Sequence, residues 1–250
     1  MTRILYEHRT GADPVVAAAE LLATKGVALM PSSDVAQSLG VSREAWARFD
    51  RHWRQLAPDP YAEGRGLQRL RRYGRYLVLD GVAHRLPTST FAQPEDSNPP
   101  YIGRDREFEP LTDAFAEDPL LHNVINLLTR MAAALDDVAE WNVKVHPSRI
   151  RCPAHDGDDK GHPRPEDPHR DGVTLTTSLL IGRRNAIGGE SSVCDLTGRR
   201  LLTASSAEPG TLLLGDDRRT LHAVSPIRPR SGSRPAQHDV LEITFASTWP

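Results

Sequence analysis

From residue 173 to residue 247 the chain is cut into short β-type runs: 173–181, 190–196, 200–203, 210–214, 220–224 and 239–247. Turn signals separate them, among them Gly188-Gly189, Thr197-Gly198 and Pro209-Gly210. So many short strands at this spacing predict a sandwich or jelly roll, because pairing into a closed double sheet removes exposed strand edges. Residues 141–146, WNVKVH, read as an earlier strand, and a polar loop over 153–168 follows it.

The first half has a different grammar. Asp13 is placed to cap a helix, Pro14 suits its first turn, VVAAAELLATK continues it and Gly26 stops it. Residues 27–30 read as a short strand. A second helix starts near Ser42 and sets Trp46, Phe49, Trp53 and Leu56 on one stripe, which marks a core-facing helix. Residues 67–79 form an arginine-rich strand that ends at Asp80-Gly81, a hairpin dipeptide. Prolines at 87, 94, 99 and 100 break the pattern over 87–106. A long helix follows from Pro119 to Leu135, with Leu120, Leu121, Val124, Leu127, Leu128 and Met131 at helical period. The expected class is α+β, in one domain over 1–250. Residues 1–66 are its mainly helical part and 139–247 its jelly-roll core.

The chemistry concentrates at His169-Arg170-Asp171. On a strand, residues i and i+2 share a face, so an imidazole and a carboxylate can converge. His222, in the run Thr220-Leu221-His222-Ala223-Val224, offers a third donor. Two histidines and one carboxylate on one face of an octahedral ion leave three adjacent positions open, the arrangement of non-heme Fe(II) oxygenases.

Around these residues the chain resembles a known family. The matching segments are His169-Arg170-Asp171-Gly172, then Arg184-Asn185-Ala186-Ile187-Gly188-Gly189-Glu190, then Leu221-His222-Ala223-Val224-Ser225-Pro226-Ile227. Asp239-Val240-Leu241-Glu242-Ile243-Thr244-Phe245 looks like the family's closing strand, and weaker echoes lie at 59–61, 71–76 and His146-Pro147-Ser148-Arg149. They resemble the 2-oxoglutarate/Fe(II) dioxygenases of the bacterial L-isoleucine dioxygenase type, which hydroxylate amino acids. The resemblance implies a distorted double-stranded β-helix with Fe(II) held by His169, Asp171 and His222. It implies 2-oxoglutarate and O2 as co-substrates, and hydroxylation of a C–H bond in a small molecule, a free L-amino acid. Related halogenases lack the carboxylate ligand, so Asp171 favours hydroxylation.

One position departs from that pattern. Such enzymes carry an arginine at the start of the closing strand, where its fork pairs with the distal carboxylate of 2-oxoglutarate. Here the slot holds His238. Arg228, Arg230 and Arg234 lie just upstream, and Arg234 is the first expectation for a displaced anchor, with His238, Arg149 and Arg151 as the others. If His238 faces inward, strand alternation turns Val240, Glu242 and Thr244 inward too. Glu242 then needs a cationic partner or a substrate amine. Arg149 and the arginines at 69, 71 and 75 are candidates for holding a substrate carboxylate, against the alternative of a solvated edge.

Other readings compete. DGDDKGHPRPED, at 156–167, imitates a calcium loop, but Lys160 and two prolines spoil it. Cys152, His155, His162 and His169 offer zinc-type donors at a spacing of no compact module. The loop 153–168 is expected instead to cover the site as a lid. A non-catalytic or sensory metal-binding β-barrel is the contrasting function. With 31 Lys and Arg against 33 Asp and Glu, the net charge of −2 argues against a nucleic-acid or membrane-surface partner. Two cysteines make no disulfide framework, and the first nine residues lack the apolar run of a secretory signal. The expectation is a soluble cytoplasmic protein of open oligomeric state.

Overall fold

Asp13 accepts a hydrogen bond from Val15 N at 2.8 Å, which caps the first helix, and Gly26, at φ 75°, returns its N–H to Leu22 O to end it. The computed structural model describes residues 13–61, 68–87, 106–154, 166–204 and 208–247. In chain order the elements are α1 (Pro14–Lys25), β1 (Val27–Met30), α2 (Ser32–Leu39), α3 (Arg43–Phe49), a 3-10 turn (Asp50–Gln55), β2 (Ala57–Pro58), β3 (Gln68–Arg71), β4 (Gly74–Leu79) and β5 (Val82–Leu86). Then come α4 (Asp113–Ala116), α5 (Pro119–Ala133), β6 (Glu140–Cys152), β7 (Glu166–His169), β8 (Leu175–Arg184), β9 (Ala186–Ile187) and β10 (Ser191–Asp195). The chain finishes with β11 (Arg200–Ala204), β12 (Leu212–Asp216), β13 (Thr220–Val224), β14 (Arg228–Pro229) and β15 (Ala236–Ala246).

A large sheet runs β1-β12-β8-β15-β6-β3-β2, with β4 also on β6 and β5 hydrogen-bonded to β4. A four-stranded sheet runs β11-β10-β13-β7. All named strand pairs are antiparallel. This is the expected jelly roll. Alternation divides the work of each strand. In β15, Leu241, Ile243 and Phe245 join the core with Val143 and Val145 of β6, against α1, α5 and the 3-10 turn. Glu242 and Thr244 of β15, with Lys144 and His146 of β6, line a cavity on the opposite face. A smaller apolar cluster, Val27, Val193, Leu202 and Leu213, ties the two sheets together.

Several boundaries differ from expectation. The helix starting at Ser42 tightens into the 3-10 turn at Asp50, yet Phe49 and Trp53 are both fully buried as the stripe requires. The predicted strand 67–79 is two strands. Between them Tyr73 bonds outside the sheet: its N–H goes to Glu109 O, and its carbonyl accepts from Leu111 N, both at 2.9 Å. Gly74 admits the Leu111 side chain, which would lie 2.5 Å from a Cβ there. The hairpin at Asp80-Gly81 forms as predicted, both residues at positive φ (48° and 76°). Most of the polar loop over 153–168 lies outside the described residues, as do His155, His162 and most of the calcium-like segment. The end of that loop is β7.

Candidate metal centre

His169 ends β7, His222 sits in the middle of β13, and the two are direct cross-strand partners. Their rings tilt together with centroids 4.2 Å apart. Asp171 joins them from a loop. The strand has ended by then, so its approach does not come from strand alternation as expected. It comes from a turn at Gly172, φ 73°, held by Asp217. Asp217 Oδ2 accepts hydrogen bonds from the backbone N–H groups of Asp171, Gly172 and Val173, at 3.0, 2.8 and 3.0 Å. The Asp171 carboxylate then lies 3.9 Å from His169 Nε2 and 3.7 Å from His222 Nε2. These gaps are too long for hydrogen bonds. One donor atom from each residue falls within 4.8 Å of the others, close enough for a single ion to reach all three.

Asp217 also lies 3.7 Å from His222 Nδ1, the ring nitrogen turned away from the other two donors. That nitrogen has no hydrogen-bond partner among the described residues, and Asp217 is the nearby carboxylate on its side. Burial, and next the Asp171 charge, raise the Asp217 pKa, while its backbone N–H partners oppose the shift. Sequence reasoning missed this residue. Its only signal was the acidic turn Asp216-Asp217 just ahead of the His222 strand.

The cavity beside the three donors is strongly basic. Arg69, Arg71, Arg106 and Lys144 line it, with His146 and Glu242. Asp59, its carboxylate fully buried, accepts from Arg69 Nε at 2.6 Å and lies 3.9 Å from Arg71 Nη1. Arg71 also donates to His146 Nδ1 at 2.6 Å and lies 4.2 Å over the Phe108 ring. Burial, then the Arg69 charge, pull Arg71 down to about 10. Burial and the Arg71 charge hold His146 well below the ordinary histidine range, so it accepts as a neutral ring. Lys144 is lowered to about 8 by burial, against the pull of Asp171.

The other expected site residues divide. Glu242 does face the cavity. His238 does too, in an adjoining recess with Val240, so the predicted inward parity of 238, 240, 242 and 244 is what the sheet shows. Arg234 does not reach it. It is exposed in the turn before β15, and that turn is held outward by Asn185, whose Nδ2 donates to Ser231 O and Arg234 O at 3.0 and 2.6 Å. Arg149 faces the other side of the sheet. Its guanidinium makes a two-pronged pair with buried Asp239, at 2.7 and 2.8 Å, which removes it from the substrate role expected of it. Cys152 is buried and its thiol donates to Ile227 O. Among the described residues, the one group of three metal-ligating side chains is His169, Asp171 and His222.

Two imidazoles and a carboxylate, gathered in a jelly roll beside a basic cavity, make up the kind of donor set that non-heme iron oxygenases use. The profile of the 2OG-Fe dioxygenase family matches residues 50–244, and the chain belongs to that family. It is therefore a 2-oxoglutarate-dependent dioxygenase that uses Fe(II) and O2. Over 201 residues it is 27% identical to L-isoleucine-4-hydroxylase of Bacillus thuringiensis, covering 76% of this chain and 78% of the relative. A bsmA homolog from Methylobium petroleophilum PM1 superposes with a TM-score of 0.79 at 26% identity, over 93% of this chain and 92% of that one. The fold is shared with IDO from Bacillus thuringiensis, at a TM-score of 0.74 and 20% identity over 94% and 100% of the two chains. No helix among the described residues is long and apolar enough to cross a membrane.

Proposed function

We propose that this chain hydroxylates a free L-amino acid or a close analogue, with His169, Asp171 and His222 as the iron ligands. The observation that carries the reading is the presence of opposite charges on one wall of the cavity: the guanidinium of Arg71 and the carboxylate of Glu242, on either side of His146, line the same space beside the three donors. A zwitterion presents a carboxylate and an ammonium on one carbon and complements both. Arg71 and Arg106 meet the carboxylate, and Glu242 meets the ammonium. Phe108, packed against Arg71, and neutral His146 fix the guanidinium so that little side-chain entropy is lost on binding. Val173 and Val193 give the side chain of the substrate apolar wall near the metal donors.

Iron, 2-oxoglutarate and O2 together supply the oxidising power for C–H hydroxylation, the keto acid leaving as succinate and CO2. The part of the chain would be to hold the substrate carbon near the three donors and to exclude water from the cavity beside them. The L-isoleucine-4-hydroxylase relative supports an aliphatic amino acid over other small amines.

Succinate formation, measured across a panel of free L-amino acids and their decarboxylated or N-acetylated analogues, tests this reading. At least one aliphatic L-amino acid is expected to stimulate succinate release and gain one oxygen atom. Loss of either charged group from that substrate is expected to abolish the stimulation. Equal stimulation by the N-acetylated and decarboxylated forms would overturn the zwitterion assignment.

A further inference from the structure

The recess that contains His238 adjoins the metal-side cavity, and the two share Ser178, Ser191 and Leu213 as lining residues. Leu180, Val240 and Leu213 make most of its wall apolar. Arg183, near the end of β8, lines the recess as the direct cross-strand partner of His238. Its Nη2 donates to Gly188 O. Its Nε is buried without a hydrogen-bond partner among the described residues, and so is His238 Nδ1. Buried polar atoms are ordinarily satisfied, and two unmet ones on facing residues of one recess call for a ligand with acceptor atoms. Asp239, the carboxylate next in sequence, is occupied on the far side of the sheet by Arg149 and Gln237.

The double-glycine turn is built around this pair. A Cβ on Gly188 would stand 1.7 Å from Pro226 O, so the turn closes only with glycine there, and its carbonyl is the one Arg183 binds. A Cβ on Gly189 would press against the His238 ring at 3.3 Å. The motif thus positions the guanidinium and leaves room for the imidazole.

We propose that Arg183, flanked by His238, anchors the distal carboxylate of 2-oxoglutarate in this chain. A carboxylate in an apolar recess needs a cation. His238 does not supply one: burial, then the Arg183 charge, depress it to about 4, so at working pH it offers a neutral hydrogen bond. A guanidinium is charged throughout that range. The chain has thus moved the charge from the closing strand to its neighbour β8. The assignment rests on the co-substrate being 2-oxoglutarate.

Equilibrium dialysis under nitrogen of the Fe(II)-loaded protein, with 2-oxoglutarate and with 2-oxobutyrate, tests it. The second keto acid keeps the chelating end and lacks the distal carboxylate. The wild type is expected to prefer 2-oxoglutarate. Arg183→Gln is expected to bind 2-oxoglutarate roughly 30–150-fold more weakly and 2-oxobutyrate unchanged, with iron content retained. His238→Gln is expected to lose less. Unchanged 2-oxoglutarate affinity in Arg183→Gln, or equal weakening toward both acids, would overturn the assignment. If Arg183→Gln does not fold, Arg183→Met carries the same comparison, because it also removes the charge while keeping an apolar stem in the recess. A wild type that does not discriminate the two acids would contradict the co-substrate reading itself, independently of Arg183.

Discussion

Beside the three proposed iron ligands stands a second carboxylate, Asp217, that shapes the site without belonging to the donor set. Asp217 gathers the N–H groups of residues 171–173, so it sets the approach of Asp171, and its carboxylate lies 3.7 Å from His222 Nδ1. Asp217→Ala would leave those N–H groups without their acceptor and let the turn open. Iron affinity is expected to fall about 10–100-fold, the usual cost of losing an outer-shell partner. Asp217→Asn keeps one acceptor oxygen and is expected to lose less. Competition for iron against a chelator of known affinity measures both, and unchanged affinity in Asp217→Ala would remove the residue from this role. The cluster of three donors was legible, because His222 and the family resemblance added weight to a His-x-Asp pair that is a weak signal alone. Asp217 was not, because its importance lies in backbone groups that carry no side-chain signature. Arg149 misled for a related reason. Its chemistry suits a substrate carboxylate, but the register that sets it opposite Asp239 exists only once β6 and β15 pair.

At the level of elements, whatever is decided locally could be read. Cap and stop residues gave α1, helical periodicity gave the long helix, the Asp80-Gly81 pair gave its hairpin, and β-type runs between turn residues gave the strands after residue 173. Boundaries set by distant partners could not be read. The split between β3 and β4 follows from Tyr73 bonding to residues 109–111. Arg234 is carried outward because β14 pairs with β9, fixing Arg228 against Ile187 and Pro229 against Ala186. Two glycines at positive φ show how context, not conformation alone, sets a cost. Gly188 is walled by Pro226 O, whereas at Gly198, φ 84°, an added Cβ would meet nothing within 4 Å. Gly198→Ala is expected to cost about 1 kcal/mol, the left-handed penalty alone. Gly188→Ala is expected to cost about 3 kcal/mol or more, since backbone must also move. At roughly 2–4 °C per kcal/mol for a chain of this size, thermal unfolding separates them. Equal losses would show that the tight approach at Gly188 relaxes freely.

The molecule as a whole is a division of faces. Helices cover one side of the large sheet, so residues 141, 143, 145, 241, 243 and 245 belong to the core, while residues 144, 146, 242 and 244 face the cavity. The small sheet closes over that cavity and brings both histidines of the metal centre with it. Charge follows the same division: arginines and Lys144 collect on the cavity side near the donors, and Arg183 with His238 occupies the adjoining recess. The overall architecture and the cluster of three donors were therefore visible in the sequence, while the lining of the cavity and of its adjoining recess was set by pairings between remote strands. Iron binding by the three donors underlies every functional statement made for the chain. The direct measurement is anaerobic iron titration of the wild type and of His169→Ala, Asp171→Ala and His222→Ala, with thermal unfolding as the check on folding. The expected result is one iron per wild-type chain and loss of tight binding in each folded variant. Retention of stoichiometric, tight iron by Asp171→Ala would contradict the assigned centre.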